Sequence, residues 1–375
     1  MKKVISIALA LLMVAVMLPV MAMAEGANVA KIGDTEYATL KEAFDAVPNG
    51  ETIVVMKNCS GNGIVVNSGR NFTVDFNNCT YDIDGTTVGS TGTETNGFQL
   101  LKDSTITFKN GKLTSTKAKI LIQNYCNLTL ENMELDGRNL NRSNPNYTLS
   151  NNNGNVVIKD TTIFAADGMV AFDVCRYADY VGPKVTVKGN SVINGKVEIS
   201  SSSAKDGAQH ELVIENGTFN GAIETVGASP NFTGHVYGGT FNTDVTPYVH
   251  NELVVTDGSN YYVGDSAYEA VGNATGGTFT VVAVPDEPVK FENVKPGVTV
   301  KNGTAETVTV NGNNVPRNES YTVPGAPIII YTPTEDTPKA NDQKNPGTGA
   351  NDFVGVAAAM VVVSLLGAAA VIRKK

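Results

Sequence analysis

The chain has 375 residues, a mass of 39.5 kDa, a formal net charge of −9, no Trp, 4 Cys and 3 His. That acidic balance argues against a nucleic-acid binder, because neutralising phosphates takes clustered Lys and Arg. Long apolar runs occur only at the two ends, which excludes a polytopic membrane protein, and 17% charged residues give poor support to a charge-rich coiled coil.

Residues 1–24 have the layout of a secretory signal peptide. Met1-Lys2-Lys3 is a basic start and Val4 to Val20 an apolar middle. Ala22 and Ala24 supply the small side chains that signal peptidase requires, with cleavage after Ala24. An uncleaved N-terminal anchor is the alternative. Further on, Thr39 and Glu42 have capping-box spacing. Leu40, Ala43, Phe44 and Val47 fall on one helical face, and Pro48-Asn49-Gly50 ends the pattern. A short helix over about 39–47 is expected. Its role would be to cover the open end of a strand stack, where core and backbone edges are otherwise bare.

From about 50 to 325 one local theme repeats. Segments 72–78, 105–110, 127–132, 156–160, 184–189 and 211–216 alternate apolar and polar residues, the period of a strand with one buried face. Val, Ile, Thr and Phe dominate, as pleated surfaces favour, and Asn and Gly at the run ends tolerate left-handed backbone. The runs end at 78, 110, 132, 160, 189, 216 and 238, so the gaps are 32, 22, 28, 29, 27 and 22 residues. Asn216-Gly217-Thr218-Phe219-Asn220 and Gly238-Gly239-Thr240-Phe241-Asn242 make the 22-residue recurrence plain. A constant floor with insertions suits a solenoid coil of three short strands. A β-sandwich is the alternative, with turns roughly every 8–12 residues and no coil-length recurrence.

The segment Lys31-Ile32-Gly33-Asp34-Thr35-Glu36-Tyr37 through Val47, followed by Gly50-Glu51-Thr52-Ile53-Val54-Val55, resembles the opening of pectin-lyase-like surface proteins of Gram-positive type. The resemblance spans roughly 30–325 and implies an all-β, right-handed parallel β-helix at 25–262. Gly264 to Ala270 is similar to 33–38, and with 278–282, 298–303 and 308–312 it marks an additional β unit, or a continuation or cap of the helix, at 263–325. A Pro-rich linker follows over 326–350.

Residues 353–372 carry no charge, and about 20 helical residues span one hydrocarbon core. Arg373-Lys374-Lys375 forms a basic cytoplasmic tail. Just before the span stand Asn345, Pro346, Gly347, Thr348 and Gly349. The three parts together resemble a Gram-positive cell-wall sorting signal of the Leu-Pro-x-Thr-Gly type, with Asn345 where Leu is usual. The resemblance implies a sortase as partner, cutting between Thr348 and Gly349. A transmembrane anchor that is never cut is the alternative. Removing both ends takes away five positive charges and one negative, leaving −13, which disfavours polyanionic partners such as uronic-acid polymers.

Many proteins of the resembled fold are polysaccharide lyases or glycosidases, and their equipment is missing. The six Arg (70, 138, 142, 176, 317, 373) form no Arg-x-Pro-x-x-Arg pattern, and Asp82-Ile83-Asp84-Gly85 reads as a turn. Asn242-Thr243-Asp244 matches one polygalacturonase-like motif, but no Asp-Asp, Gly-His-Gly or Arg-Ile-Lys occurs, and Gly234-His235 stands in the wrong order. No catalytic residue, metal site or cofactor is therefore assigned. Cys59, Cys79, Cys126 and Cys175 read as free or stacked thiols, with bonded pairs as the alternative. His210, His235 and His250 are scattered, and Tyr261-Tyr262 suits strand packing. Two insertions have binding character. One gathers Asp173, Arg176, Tyr177, Asp179 and Tyr180; the other, from Gly137 to Gly154, is Asn-rich with Arg138, Arg142 and Tyr147. Tyr and Asn suit sugar rings and hydroxyls. The expected function is a surface-anchored, non-catalytic adhesin or glycan-binding module, displayed on cell wall or membrane toward a glycan or host-matrix ligand. A wall-anchored polysaccharide lyase or glycosidase and a passive stalk are the alternatives.

Overall fold

The structure, a computed structural model, describes residues 28–141, 146–202, 209–227 and 231–325. The expected signal peptide, the linker with its sorting motif, the apolar span at 353–372 and the basic tail lie outside these residues. Among the described residues no helix is long and apolar enough to cross a membrane.

The chain winds into a β-solenoid of about seven turns, of the right-handed type. Each turn lays down three strands, and each strand pairs in parallel with its counterpart one turn later. In the first row Thr52–Val55 pairs with Asn71–Ile83, which pairs with Thr105–Ser115 and then Asn127–Gly137. Those three longer strands bend through a corner and supply the second row as well. The third row runs Ile64–Val66, Asn96–Leu100, Ile120–Asn124, Tyr147–Asn151, Val170–Tyr177, Lys196–Ser202 and Ile223–Val226. Stacked parallel pairing over coil-length separations is the solenoid pattern, and it excludes the sandwich alternative.

The corner between first and second rows explains the run-ending residues. Asn78, Asn110, Asn132, Asp160 and Gly189 all have positive φ, between 48° and 66°. Asn and Gly reach that region at least cost. The amides also stack: Asn132 donates to Asn110 at 3.2 Å, and Asn110 donates to Asp75 at 3.1 Å. The 32-residue gap comes mainly from the connection 84–95 between the strands Asn71–Ile83 and Asn96–Leu100, 12 residues where the next turn uses four, 116–119. Three residues lie between Asp75 and Cys79 where one lies between Lys109 and Gly111, and the register shifts there. The extra length buries Phe76, whose ring meets Phe108 edge-on at 5.6 Å. Gly111 sits beneath it, where an added Cβ would come within 2.2 Å of the Phe76 Cβ.

Alternate residues of each strand face inward as columns. Val74, Phe108, Leu130, Ile158, Val187 and Ile214 form one of them, each essentially inaccessible. Burying such a side chain contributes about 1.5–3 kcal/mol. Outside, opposite charges pair across turns, as in Lys159–Glu131 at 2.6 Å and Lys184–Glu211 at 3.1 Å.

Two devices close the N-terminal end. Helix α1, Leu40–Ala46, has both bonds of the capping box: the Thr39 hydroxyl accepts from the Glu42 N–H, and the Glu42 carboxylate accepts from the Thr39 N–H. Leu40, Ala43, Phe44 and Val47 are all buried. Phe44 inserts among Phe72, Phe98 and Phe108 at 5.4–6.2 Å. Arg70 donates to the Val47 and Phe44 carbonyls at the helix C-terminus. Ala30–Ile32 then pairs antiparallel with Thr52–Val55 and covers that strand's open edge.

Past the last turn, Gly239–Phe241 pairs antiparallel with Tyr261–Val263. A second core begins here, around Leu253, Val255, Val271, Val281, Val300 and Val310. The sequence likeness between 33–38 and 264–270 does not extend to structure. The first contains strand Thr35–Tyr37, whereas the second is in helix α2, Asp265–Asn273, because Ala267 and Val271 recur at helical spacing and are buried.

Phe44→Ala is expected to cost about 3–5 kcal/mol, read as a lowered urea midpoint, and to promote self-association through the uncovered end. An unchanged midpoint would show that the helix does not close the core.

Candidate functional site

On the third row the register places Gln99, Gln123, Ser150, Asp173, Glu198 and Glu224 in one column, one per turn. The adjacent column, Phe98, Ile122, Leu149, Phe172 and Val197, faces the core, so this polar column lies on the opposite face. Successive turns are about 4.8 Å apart, which brings Asp173, Glu198 and Glu224 close together. Each has a partner. The Ser150 hydroxyl donates to Asp173 Oδ2 at 3.0 Å and the Asn151 N–H donates to Oδ1. The Tyr147 hydroxyl donates to Glu198 at 3.0 Å, and Lys196 pairs with Glu224 at 3.0 Å. Asp173 is only 4% exposed. Burial pushes its carboxyl up to about 8; its hydrogen bonds pull the other way and Glu198 adds to the rise.

Three tyrosines converge beside Asp173. Tyr177 ends the strand Val170–Tyr177, and a turn closed by the Tyr180 N–H on the Tyr177 carbonyl brings Tyr180 round to it. Ala178 within that turn has φ 47°, a region that costs a side-chain-bearing residue energy. Tyr125, which follows the strand Ile120–Asn124, belongs two turns earlier. The small Asn152 holds the corresponding place between them, next to Asn151, which pairs with Asn124. The ring centroids are 5.1 Å apart for Tyr125–Tyr180, 6.2 Å for Tyr125–Tyr177 and 6.4 Å for Tyr177–Tyr180. Tyr125 is 8% exposed and backs the group, while Tyr177, at 37%, presents its ring to solvent with Val181, at 79%, nearby in the chain. Burial, reinforced by Tyr177, Tyr180 and Asp173, raises the Tyr125 hydroxyl above its ordinary range. Burial, then Tyr177 and Asp103, raises the Tyr180 hydroxyl as well. Below, burial pushes the Cys175 thiol up to about 12.

Of the sequence-derived set, Tyr177 and Tyr180 come together, Asp173 is buried beside them, and Asp179 is exposed between them. Arg176 is separated from the rings. Its side chain is buried and acts on His210, since alternation along a strand sends it to the opposite face from Tyr177. Tyr125 carried no local signal: only the coil register, which places it two turns before Tyr177, brings it in. The polar column was invisible for the same reason.

The other candidates resolve individually. Arg138 grips Asp136 with two nitrogens, at 2.8 and 2.7 Å, and lies over the Phe164 ring at 4.3 Å. Arg142 lies outside the described residues, as do Ala22, Ala24 and the five residues of the sorting motif. Asp244 accepts from Thr246 in a turn, and the Tyr262 hydroxyl donates to Asp257 within a hairpin. His235 and His250, remote in sequence, meet at 5.5 Å. All four cysteines are free. Cys59 stands opposite Tyr81 and Cys79 opposite Gly111, so these two thiols are offset on neighbouring turns rather than stacked. Among the described residues no cluster of His, Cys, Asp or Glu is placed to hold a metal ion. A concavity of about 380 Å³ lies where α2 meets the last turn and is lined by Glu215, Glu252, Asp265, Glu269, Tyr237 and Tyr268.

The chain matches no family model, no curated protein and no solved structure.

Two buried groups predict a stability profile that is level from about pH 4 to 6.5, where their slopes oppose, and falls from there to about pH 8. Asp173 holds a proton in the folded chain between about pH 4 and 8 that the unfolded chain releases, so its contribution falls as pH rises across that window, by at most about 1.4 kcal/mol per unit. His210 is 1% exposed, neither ring nitrogen has a hydrogen-bond partner among the described residues, and burial followed by Arg176 pushes its pKa down to about 4. The unfolded chain protonates near 6.5, so the contribution of His210 falls as pH drops from about 6.5 to 4. In urea midpoints measured against pH, Asp173→Asn should remove the alkaline fall and uncover an acid one below about pH 6.5, and His210→Gln should extend the alkaline fall down to about pH 4. A profile left unchanged by both substitutions would refute the assignment.

Proposed function

We propose that this protein is a non-catalytic glycan-binding module displayed on the cell surface, with the Tyr125–Tyr177–Tyr180 platform as its contact. The observation that carries the reading is the convergence of three tyrosine rings from two separated turns onto one outer site of a rigid stack. Apolar sugar faces stack on such rings while phenol hydroxyls meet sugar hydroxyls. The nearby carboxylates Asp173, Glu198 and Glu224 are each engaged by protein partners, which favours holding a ligand over attacking it. In this reading residues 1–24 direct export through signal peptidase, and residues 345–349 offer a sortase its Thr348–Gly349 bond for attachment to the wall. The span at 353–372 holds the chain in the membrane until then. Kinship with pectin-lyase-like β-helix proteins belongs to the same proposal.

A polysaccharide-cleaving enzyme is the second reading. It is favoured by the same column, because carboxylates on successive turns fall near the separation that glycosidases use and Lys196 lies 3.0 Å from Glu224.

The test is a glycan array probed with the full chain in mild detergent and with Tyr177→Ala and Tyr180→Ala. Each substitution should weaken binding of a captured glycan about tenfold, about 1.4 kcal/mol, with the fold intact by circular dichroism. Binding indifferent to both would overturn the platform. Turnover of the captured glycan that is abolished by Glu198→Gln would establish the enzyme instead.

A further inference from the structure

The chain holds 13 tyrosines and no Trp. Among the described residues, tyrosine rings meet one another only in the Tyr125–Tyr177–Tyr180 group. Without Trp, the phenols are the aromatic groups that give up an electron most readily. Tyr125 and Tyr180 are the nearest pair, with centroids 5.1 Å apart and planes inclined by 38°. Each is held in place by its own backbone. Tyr125, 8% exposed, follows the strand Ile120–Asn124, and its carbonyl accepts from the Asn153 side chain at 2.9 Å. The Tyr180 N–H donates to the Tyr177 carbonyl at 3.2 Å and closes the turn that carries its ring. Reactants fixed at contact skip the encounter step, an advantage of roughly several powers of ten in rate. Tyr177, 37% exposed, stacks on Tyr180 at 6.4 Å and 22°, which gives an outside oxidant a way in to the pair.

We propose that Tyr125 and Tyr180 form an oxidative cross-linking site, joined by a carbon–carbon bond between the ring positions next to their hydroxyls when hydrogen peroxide and a haem peroxidase supply the oxidant. Each phenol gives up one electron and its hydroxyl proton. Those two electrons and two protons reduce one peroxide to two waters. The two phenoxyl radicals couple, and the hydrogen on each coupled carbon passes through water, as a proton, to the neighbouring oxygen and restores both phenols. The product is two hydrogens lighter and ties together separate turns of the stack. Tyr177 acts as a relay: it is oxidised first and recovers its electron from Tyr180. The chemistry stands whether or not the platform holds a glycan.

The test treats the full chain in mild detergent with a soluble haem peroxidase and hydrogen peroxide, and follows dityrosine fluorescence and the masses of tryptic peptides. Peptides 120–138 and 177–184 should appear joined and two hydrogens light, from chains that remain monomeric. Tyr125→Phe and Tyr180→Phe should each abolish that product, with the fold intact by circular dichroism. Tyr177→Phe should slow its formation about tenfold without changing its identity. Tyr237→Phe removes a more exposed phenol, at 47%, whose ring meets His235 rather than a tyrosine; it should leave rate and yield unchanged. The cross-linked monomer should unfold at a higher urea midpoint, because a closed loop restricts the unfolded chain as a disulfide does. A bond found only between separate chains, or one confined to 177–184, would overturn the site. Oxidation that ends at Cys175 or at a methionine, with no bond between rings, would overturn it as well.

Discussion

The corner between the first and second rows governs this molecule. At every turn the chain must change direction without breaking parallel pairing on either side, and a residue with positive φ does so, joined by Asn77 at the first corner. Asn78, Asn110, Asn132, Asp160 and Gly189 meet that demand, and side-chain amides link three of the turns outside the core. Because the corner recurs at the same place in each coil, inward columns align and the apolar side chains stack like on like. Where the corner is longer, between Asp75 and Cys79, Phe76 fills the extra space and Gly111 makes room for it. The constraint admits insertion elsewhere, so coil lengths vary while the core does not.

A stack of this kind has ends, and the ends need chemistry of their own. At the start, α1 drives Phe44 into an aromatic group, and Arg70 caps the helix from the next turn. The Ala30–Ile32 strand takes up the hydrogen bonds of the first rung. At the far end an antiparallel pairing hands the chain to a second core built around Val255, Val271 and Val300. Closed ends let a quasi-one-dimensional fold persist without adding copies of itself.

The outer surface inherits the regularity of the interior. Charged residues fall into rows that pair across turns, and the third row carries a column that runs from Gln99 to Glu224. The tyrosine platform departs from that order. Tyr177 and Tyr180 are brought round by a turn that forces Ala178 into left-handed backbone, and Tyr125 is reached across two turns. Strain held next to exposed rings fits a site kept for contact rather than for stability. In this reading a rigid stack presents a small aromatic surface.

The sequence by itself determined the strand period, the coil length and the cap. Alternation, turn residues and a capping box are local properties, written into neighbours that share one stretch of backbone. Thr39 and Glu42 announced a helix start, and the spacing of Asn110 from Asn132 announced a 22-residue coil that recurs in the register. Half of the candidate site was legible too, because Tyr177 and Tyr180 are close in the chain. Only the tertiary structure decided that Tyr125 joins them, that Arg176 turns inward to His210, and that Asp173, Glu198 and Glu224 share a column. The helix at 265–273, which resembles a strand segment in sequence, was likewise settled by what it packs against. The physical reason is common to all of these. A solenoid places side chains side by side at a distance set by inter-turn hydrogen bonds, and that distance joins residues whose separation in sequence is set by loops of arbitrary length.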